Sequence, residues 1–273
     1  MQHDTKPLPE FQRAQGRVEL GFSFQSNFNY LEHLYQAGCL KALIPKNYSE
    51  VPDVILINTS GGITGGDELQ IQANVGEKVN VCLTTQTAER AYKSCQGIGK
   101  IEVDLSLENR SKLDWIPQET ILFDESAIKR TIKVDMLEHS HLLMVESIIL
   151  GRQAMGECVR NNLFLDQWKI LRNNKPIYLE SLKLSNANEL SGFATLGKNK
   201  ALATILYIAP DSEERLEQMR KILQETDVLG GASAWDGKLV VRLISEYPRF
   251  LRLALINILT QFRERSLPRV WLM

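Results

Sequence analysis

Cysteine is scarce in this chain. Its 273 residues hold four cysteines, Cys39, Cys82, Cys95 and Cys158, widely scattered and without a CxxC pair. That excludes a disulfide framework and argues against structural zinc, so the thiols read as the reduced side chains of a cytoplasmic protein. Histidine is equally sparse. Of His3, His33, His139 and His141 only the last two are close; a spacing of two would put them on one face of a strand, but no third His or Cys stands at a ligand-like distance. A satisfied or exposed pair is therefore expected there. Charge of one sign is missing as well. Lys plus Arg number 32 against 33 for Asp plus Glu, so no general field draws nucleic acid or an anionic membrane surface. No apolar run approaches the roughly 18 residues of a membrane span, and the opening MQHDTKPLPEFQRAQ has no apolar signal-like core. Length alone is sufficient to bury a full core without staples. A single domain over residues 1–273 is expected.

What is present is alternation. From about Arg17 to Leu184 the apolar period is two, in runs such as RVELGFSF, LQIQANV, VNVCLTT, IEVDLSL, TIKVDML and HLLMVESIIL, separated by glycine, asparagine or acidic turns. A strand-rich body over about 17–209 follows. Near Pro210 the period changes: Leu216, Met219, Ile222 and Leu223 fall at helical spacing, and Asp211 with Glu214 resembles a capping box. The spacing predicts helices over about 211–226 and 248–265, the second with Leu251, Leu255, Ile258, Leu259 and Phe262 as its apolar stripe. Between them Asp236 and Gly237 make the turn of a hairpin. The fold class is mainly β, with two α-helices toward the C-terminus.

The glycine-rich stretch SGGITGGDEL, residues 60–69, admits two uses: an anion cradle, or tight corners that place Asp67. It has no lysine and runs into the period-two LQIQANV, so no helix N-terminus is there to hold an anion. A loop between strands is the better description. GFATLGKN, residues 192–199, has P-loop spacing but ends in Asn and leads into a strand, which argues against nucleotide binding. No GxSxG elbow is present, and Cys82 alternates as a buried strand residue. The acids Asp67, Glu119, Asp124, Glu146, Glu157 and Glu180 lie within or beside apolar or glycine-bearing segments, where an ionised carboxylate is costly unless paired or solvated. Glu146 interrupts HLLMVESIIL. Two readings stay open for it: an ion pair, with Arg152 as the candidate, or a ligand lining a water-filled channel. Glu119 and Asp124 in PQETILFDES are the nearest thing to a hydrolytic carboxylate pair, although five positions along a strand would face them oppositely.

Five blocks in order, NTSGGITGGDEL, LTTQTAERAYKS, LDWIPQETILFD, LGRQAMGE and LPRVW, span almost the whole chain and closely resemble the UreD (UreH) family of urease accessory proteins. There are departures: the family commonly has a proline pair where Thr59 and Ser60 stand, and PGA where Gln86, Thr87 and Ala88 stand. The resemblance implies an open, helix-like winding of strands with an internal water-filled passage. It implies a non-catalytic chaperone that binds urease apoprotein and UreF, and through UreF the GTPase UreG, in a hetero-oligomer that delivers nickel to the carbamylated lysine site of urease. No permanently bound cofactor is implied, only transient nickel. In that setting Asp67, Glu146 and Glu180 are expected at the wall of the passage, with Glu157 a further candidate. Gly61, Gly62, Gly65 and Gly66 would then shape the turn, and Tyr92 and Arg152 hold the blocks together. The alternative is a strand-rich glycoside-type hydrolase using Glu119 and Asp124.

Overall fold

The computed structural model describes residues 12–46, 50–152, 155–186, 190, 192 and 195–273. Two facing sheets are wound from one chain. The first contains β1 (Gln15–Gln25), β2 (Phe28–Gly38), β5 (Glu68–Val75), β8 (Gly99–Leu107), β11 (Ala127–Met136), β13 (Asn161–Arg172) and β14 (Lys175–Asn186). The second contains β3 (Leu40–Leu43), β4 (Asp53–Asn58), β6 (Asn80–Thr85), β9 (Lys112–Trp115), β12 (His141–Leu150), β15 (Ala201–Ile208), β16 (Leu229–Trp235) and β17 (Lys238–Ser245). Two short strands, β7 (Glu89–Ala91) and β10 (Thr120–Leu122), pair in parallel with each other and carry the winding back toward β12. From β4 to β13 the chain passes alternately between the sheets, so the neighbours within that stretch are parallel. The result is a β-solenoid of about four turns, flanked by antiparallel strands at both ends.

Exposure follows from which faces are covered. The first sheet has one face on the core and one in water, and β5 and β8 accordingly alternate buried and exposed side chains strictly. The second sheet is covered on both faces. Leu142 and Met144 point into the core between the sheets, while Leu143 and Val145 pack beneath the C-terminal helices. This accounts for the near-continuous apolar run of β12 and puts Glu146, in phase with Leu142 and Met144, inside the solenoid.

The two helices are α1 (Leu216–Gln224) and α2 (Pro248–Arg263). Proline at the first position and Glu264 in the left-handed region bound α2, whose Leu251, Leu255, Ile258, Leu259 and Phe262 are buried as the stripe predicts. The expected start of α1 needs correction. Residues 211–215 form turns, and the residue preceding the helix is Arg215, with no side-chain cap. The reason is competition: the Asp211 carboxylate accepts from the Tyr207 hydroxyl at 2.8 Å, so the expected capping group is engaged by the preceding strand. The hairpin forms as expected, with Trp235 opposite Lys238 and positive φ at Asp236 and Gly237. LPRVW ends in Trp271, which is buried on the second sheet and donates from Nε1 to Thr84 Oγ1 at 3.2 Å and to the Ile116 carbonyl at 3.1 Å.

Candidate functional site

Parallel register builds the site. On the first sheet Leu69, Ile101, Arg130 and Asp166 are successive partners across β5, β8, β11 and β13, so an apolar rung turns ionic halfway along. The next inward rung of β11 and β13 joins Ile132 to Trp168, and Trp168 is paired with Glu180 of β14. On the facing sheet Glu146, Thr204 and Arg242 are partners across β12, β15 and β17. These two sets of side chains meet in the interior.

Arg130 links the sheets. Its Nε donates to Asp166 Oδ1 at 2.9 Å and its Nη2 to Asp166 Oδ2 at 2.6 Å, while Nη1 donates to Glu146 Oε2 across the core. Trp115 Nε1 donates to the other Glu146 oxygen at 2.8 Å. Arg130, Asp166 and Glu146 are all buried. One guanidinium therefore serves two carboxylates, and Asp166 holds it bidentately. Burial, seconded by the charge of Asp166, outweighs Arg130 and Trp115 and pushes the Glu146 carboxyl up to about 7.

The sign of the consequence is fixed by linkage. The folded chain holds this proton more tightly than the unfolded chain, so the associated stability is present below the ordinary value of 4.5 and is lost as pH rises to about 7. Glu146→Gln removes that dependence. Denaturant unfolding of both proteins at pH 5 and pH 8 is expected to show wild type losing roughly 2–3 kcal/mol relative to the variant, at ~1.4 kcal/mol per pKa unit. A difference that does not change with pH would mean that Glu146 is ionised throughout.

Cavities lie on both sides of Glu146. A space of about 110 Å³ is bounded by Gly61, Gly62, Asn58, Glu89, Arg130 and Glu146. A smaller one, about 20 Å³, is bounded by Glu146, Asp166, Trp168, Glu180, Thr204 and Arg242. Trp168 Nε1 is buried there without a protein acceptor, and the volume has room for one water to receive its proton. Glu180 accepts from Arg242 Nη2 at 2.7 Å and from the Tyr178 hydroxyl. Glu89 takes Asn58 Nδ2 on both oxygens, at 3.2 and 3.1 Å, and burial raises its pKa.

The glycine stretch joins β4 to β5. A Cβ on Gly65 would stand 2.0 Å from Ser94 Oγ and 2.4 Å from the Gln96 carbonyl, and one on Gly62 would stand 2.3 Å from the Tyr92 ring. Close approach of two chain segments is what these positions require. Gly61 and Gly62 form part of the larger cavity's wall, and Tyr92 donates from its hydroxyl to the Gly61 carbonyl at 3.2 Å. Gly66, with positive φ, turns the chain into Asp67. The Asp67 carboxylate accepts from the Ala14 amide and the Thr64 amide, each at 2.8 Å. It is buried and fastens the entries of β1 and β5, outside the described walls of either cavity.

Of the acids singled out from sequence, Glu146 and Glu180 come together on the small cavity; Asp67 and Glu157 do not join them. Glu157 pairs with Arg152, Nε to Oε2 at 2.9 Å, which lowers its pKa. Arg152 is thus the partner of Glu157 and not of Glu146, because β11 faces β12 across the core whereas Arg152 lies past the end of β12. Its guanidinium also stacks 4.3 Å from the Phe123 ring, against which Tyr92 packs edge-on. Glu119 and Asp124 do not make a pair. The strand between them covers Thr120–Leu122 alone; Glu119 takes Arg252 at 3.0 Å, and Asp124 accepts from the Arg160 and Asn161 amides at 2.7 and 3.0 Å. His139 and His141 also separate, since His139 is an exposed turn residue with positive φ and only His141 begins the strand. His3 and part of GFATLGKN lie outside the described residues. Among the described residues no three His, Cys, Asp or Glu side chains converge as a metal-binding set.

Sequence reasoning missed Arg130, Asp166, Glu89 and Trp168. A signal existed for two of them. Arg130 is in phase with Ile128 and Ile132, and Asp166 with Phe164 and Trp168, so each polar residue occupies an inward position.

Comparison with known proteins covers nearly the whole chain. The family model described as UreD urease accessory protein matches residues 14–272. A urease accessory protein UreD of Rhizobium leguminosarum bv. trifolii is 40% identical over 263 residues, covering 95% of this chain and 96% of the relative. One from Cereibacter sphaeroides is 39% identical over 269 residues, covering 98% of each. Another, from Agrobacterium fabrum, is 39% identical, covering 95% of this chain and 92% of its own.

Proposed function

The chain belongs to the UreD family of urease accessory proteins, and from that membership we propose that it is a non-catalytic maturation factor which passes nickel through its interior toward urease. In this reading it binds urease apoprotein and UreF in a hetero-oligomer, UreG docks through UreF, and nickel is cargo, never a resident cofactor. The observation that supports the passage is that Glu146 bounds both interior cavities, with Glu89 on one side and Asp166 and Glu180 on the other. Acids already engaged by Arg130 and Arg242 offer a divalent ion attraction without a complete ligand set, which suits transit, where a site must be attractive enough to enter and loose enough to leave.

A docking surface for UreF is proposed on the C-terminal face. Tyr247, Phe250 and Leu253 of α2 and its approach are exposed, as are Leu229 and Trp235 of β16. Tyr247 and Phe250 pack edge-on, and exposed apolar side chains that form a patch mark interaction surfaces. The hydrolase alternative has no comparable support, because Glu119 and Asp124 are held by separate partners.

The test is urease activation with nickel, bicarbonate and GTP, alongside pull-down of UreF and urease apoprotein. Glu146→Gln and Glu180→Gln are expected to retain both partners while slowing activation by about tenfold or more, the equivalent of ~1.4 kcal/mol. Normal activation by the double variant would eliminate the passage, and failure of the wild-type chain to bind either partner would eliminate the maturation role itself.

A further inference from the structure

Between the last turn of α2 and the starts of β9 and β12 lies a second polar cleft, of about 190 Å³, that the nickel reading does not use. Its charged walls are Lys112, Asp114, His141, Arg215, Arg263 and Arg265. Four fixed cations and one carboxylate thus line it, while Asp53 acts on Arg265 from beyond the wall and Asp211 on His141. Asp114 Oδ2 accepts from Arg263 Nε at 2.8 Å and from Arg265, which fixes two guanidiniums side by side. Arg263 is nearly fully buried and also donates to Cys82 Sγ at 3.6 Å. Arg215 is occupied elsewhere, donating to the Phe262 carbonyl at 2.5 Å and pairing at the rim with Glu264 at 3.4 Å and Asp211 at 4.0 Å. Lys112 makes no ion pair among the described residues, and it is the register partner of His141 across β9 and β12.

With Arg215 matched by its own acids, Arg263, Arg265 and Lys112 still outnumber Asp114 on the lining, and an anion relieves that excess. Guanidinium forks beside an ammonium match the oxygens of a tetrahedral oxyanion. We infer that this cleft binds a small oxyanion of the phosphate class, held by Lys112, Arg265 and His141, with Asp114 and Arg263 as its frame. Bound there, the anion ties the β9 and β12 entries to the end of α2.

His141 supplies a local readout. Burial, with the charges of Lys112 and Arg172 opposed by that of Asp211, holds its pKa below the ordinary value; an anion beside it raises it again. The full chain, with its imidazoles isotope-labelled and the His141 signal assigned from His141→Gln, is titrated with inorganic phosphate against sodium chloride of equal ionic strength. Phosphate is expected to move His141 in a saturable one-site manner that chloride does not reproduce, with Lys112→Gln and Arg265→Gln each weakening the apparent affinity by about tenfold, one charge contact each. Lys112 is exposed and makes no ion pair among the described residues, so its variant carries no folding penalty. Equal response to chloride, or unaltered phosphate affinity in Lys112→Gln, would overturn the assignment.

Discussion

Arg130→Ala is expected to lower the unfolding free energy by about 3–5 kcal/mol, because removing one member of a buried ionic group leaves the others uncompensated. Asp166 and Glu146 would face each other in the core with no cation between them, and only Glu146 would keep a donor, from Trp115. Glu146→Gln should cost far less. Its amide oxygen still accepts from Trp115, and Arg130 keeps its bidentate hold on Asp166. Urea unfolding of the two variants separates these cases, with the melting temperature following at ~2–4 °C per kcal/mol. A loss under about 1 kcal/mol for Arg130→Ala would show that water or a side-chain shift compensates the acids, and the interior would then be wetter than its packing implies. The combined change Arg130→Met, Glu146→Gln and Asp166→Leu, which keeps an acceptor for Trp115, sharpens the point. Buried ionic groups are often replaceable by apolar residues at little cost, so the triple variant should recover most of the lost stability. If it did so and still failed to activate urease, the ionic rung would be needed for the passage of nickel and not for the fold.

The solenoid was half legible in sequence, and the division has a physical cause. One-sided exposure writes a period of two into β5 and β8, and the stripe of α2 is written as plainly. Parallel neighbours are not so written. Ile101 and Arg130 are adjacent because each turn of the winding returns in register, and nothing in either segment names the other. Glu146 is visible as an acid interrupting an apolar strand, but the ion-pair partner that sequence proximity offers is Arg152, whereas the winding supplies Arg130 from the opposite sheet. The complementary signal is an arginine in an inward phase, Arg130 between Ile128 and Ile132. The start of α1 differs for another reason: the capping box read at Asp211 and Glu214 does not form, because the Tyr207 hydroxyl takes the Asp211 carboxylate and the helix begins at Leu216.

Asp67→Ala is expected to cost about 2–4 kcal/mol, on the scale of two charge-assisted hydrogen bonds at ~1.5–3 kcal/mol each, reduced by whatever water reaches the freed amides. The amides of Ala14 and Thr64 both depend on this carboxylate, and its own carbonyl accepts from the Lys100 amide at 2.8 Å, so the residue fastens the entries of β1, β5 and β8 together. Amide hydrogen exchange should accelerate at Ala14 and Thr64 well before it does in β11. Exchange unchanged at both, with a melting temperature equal to wild type, would remove the latch. This expectation changes how a functional test of Asp67 is to be read. Loss of urease activation in Asp67→Ala follows from a loosened loop as readily as from a lost nickel contact, because the same loop carries Gly61 and Gly62 to the cavity wall. Asp67→Asn distinguishes them. The amide oxygen still accepts from one backbone N–H while the negative charge is gone, so the chain should stay folded at a cost of roughly 1–2 kcal/mol. Activation by Asp67→Asn close to wild type, at a temperature where both are folded, would assign Asp67 to the loop alone. A folded Asp67→Asn that binds UreF and urease yet does not activate would mean that the charge itself is met by the ion, and that the passage begins at the glycine loop.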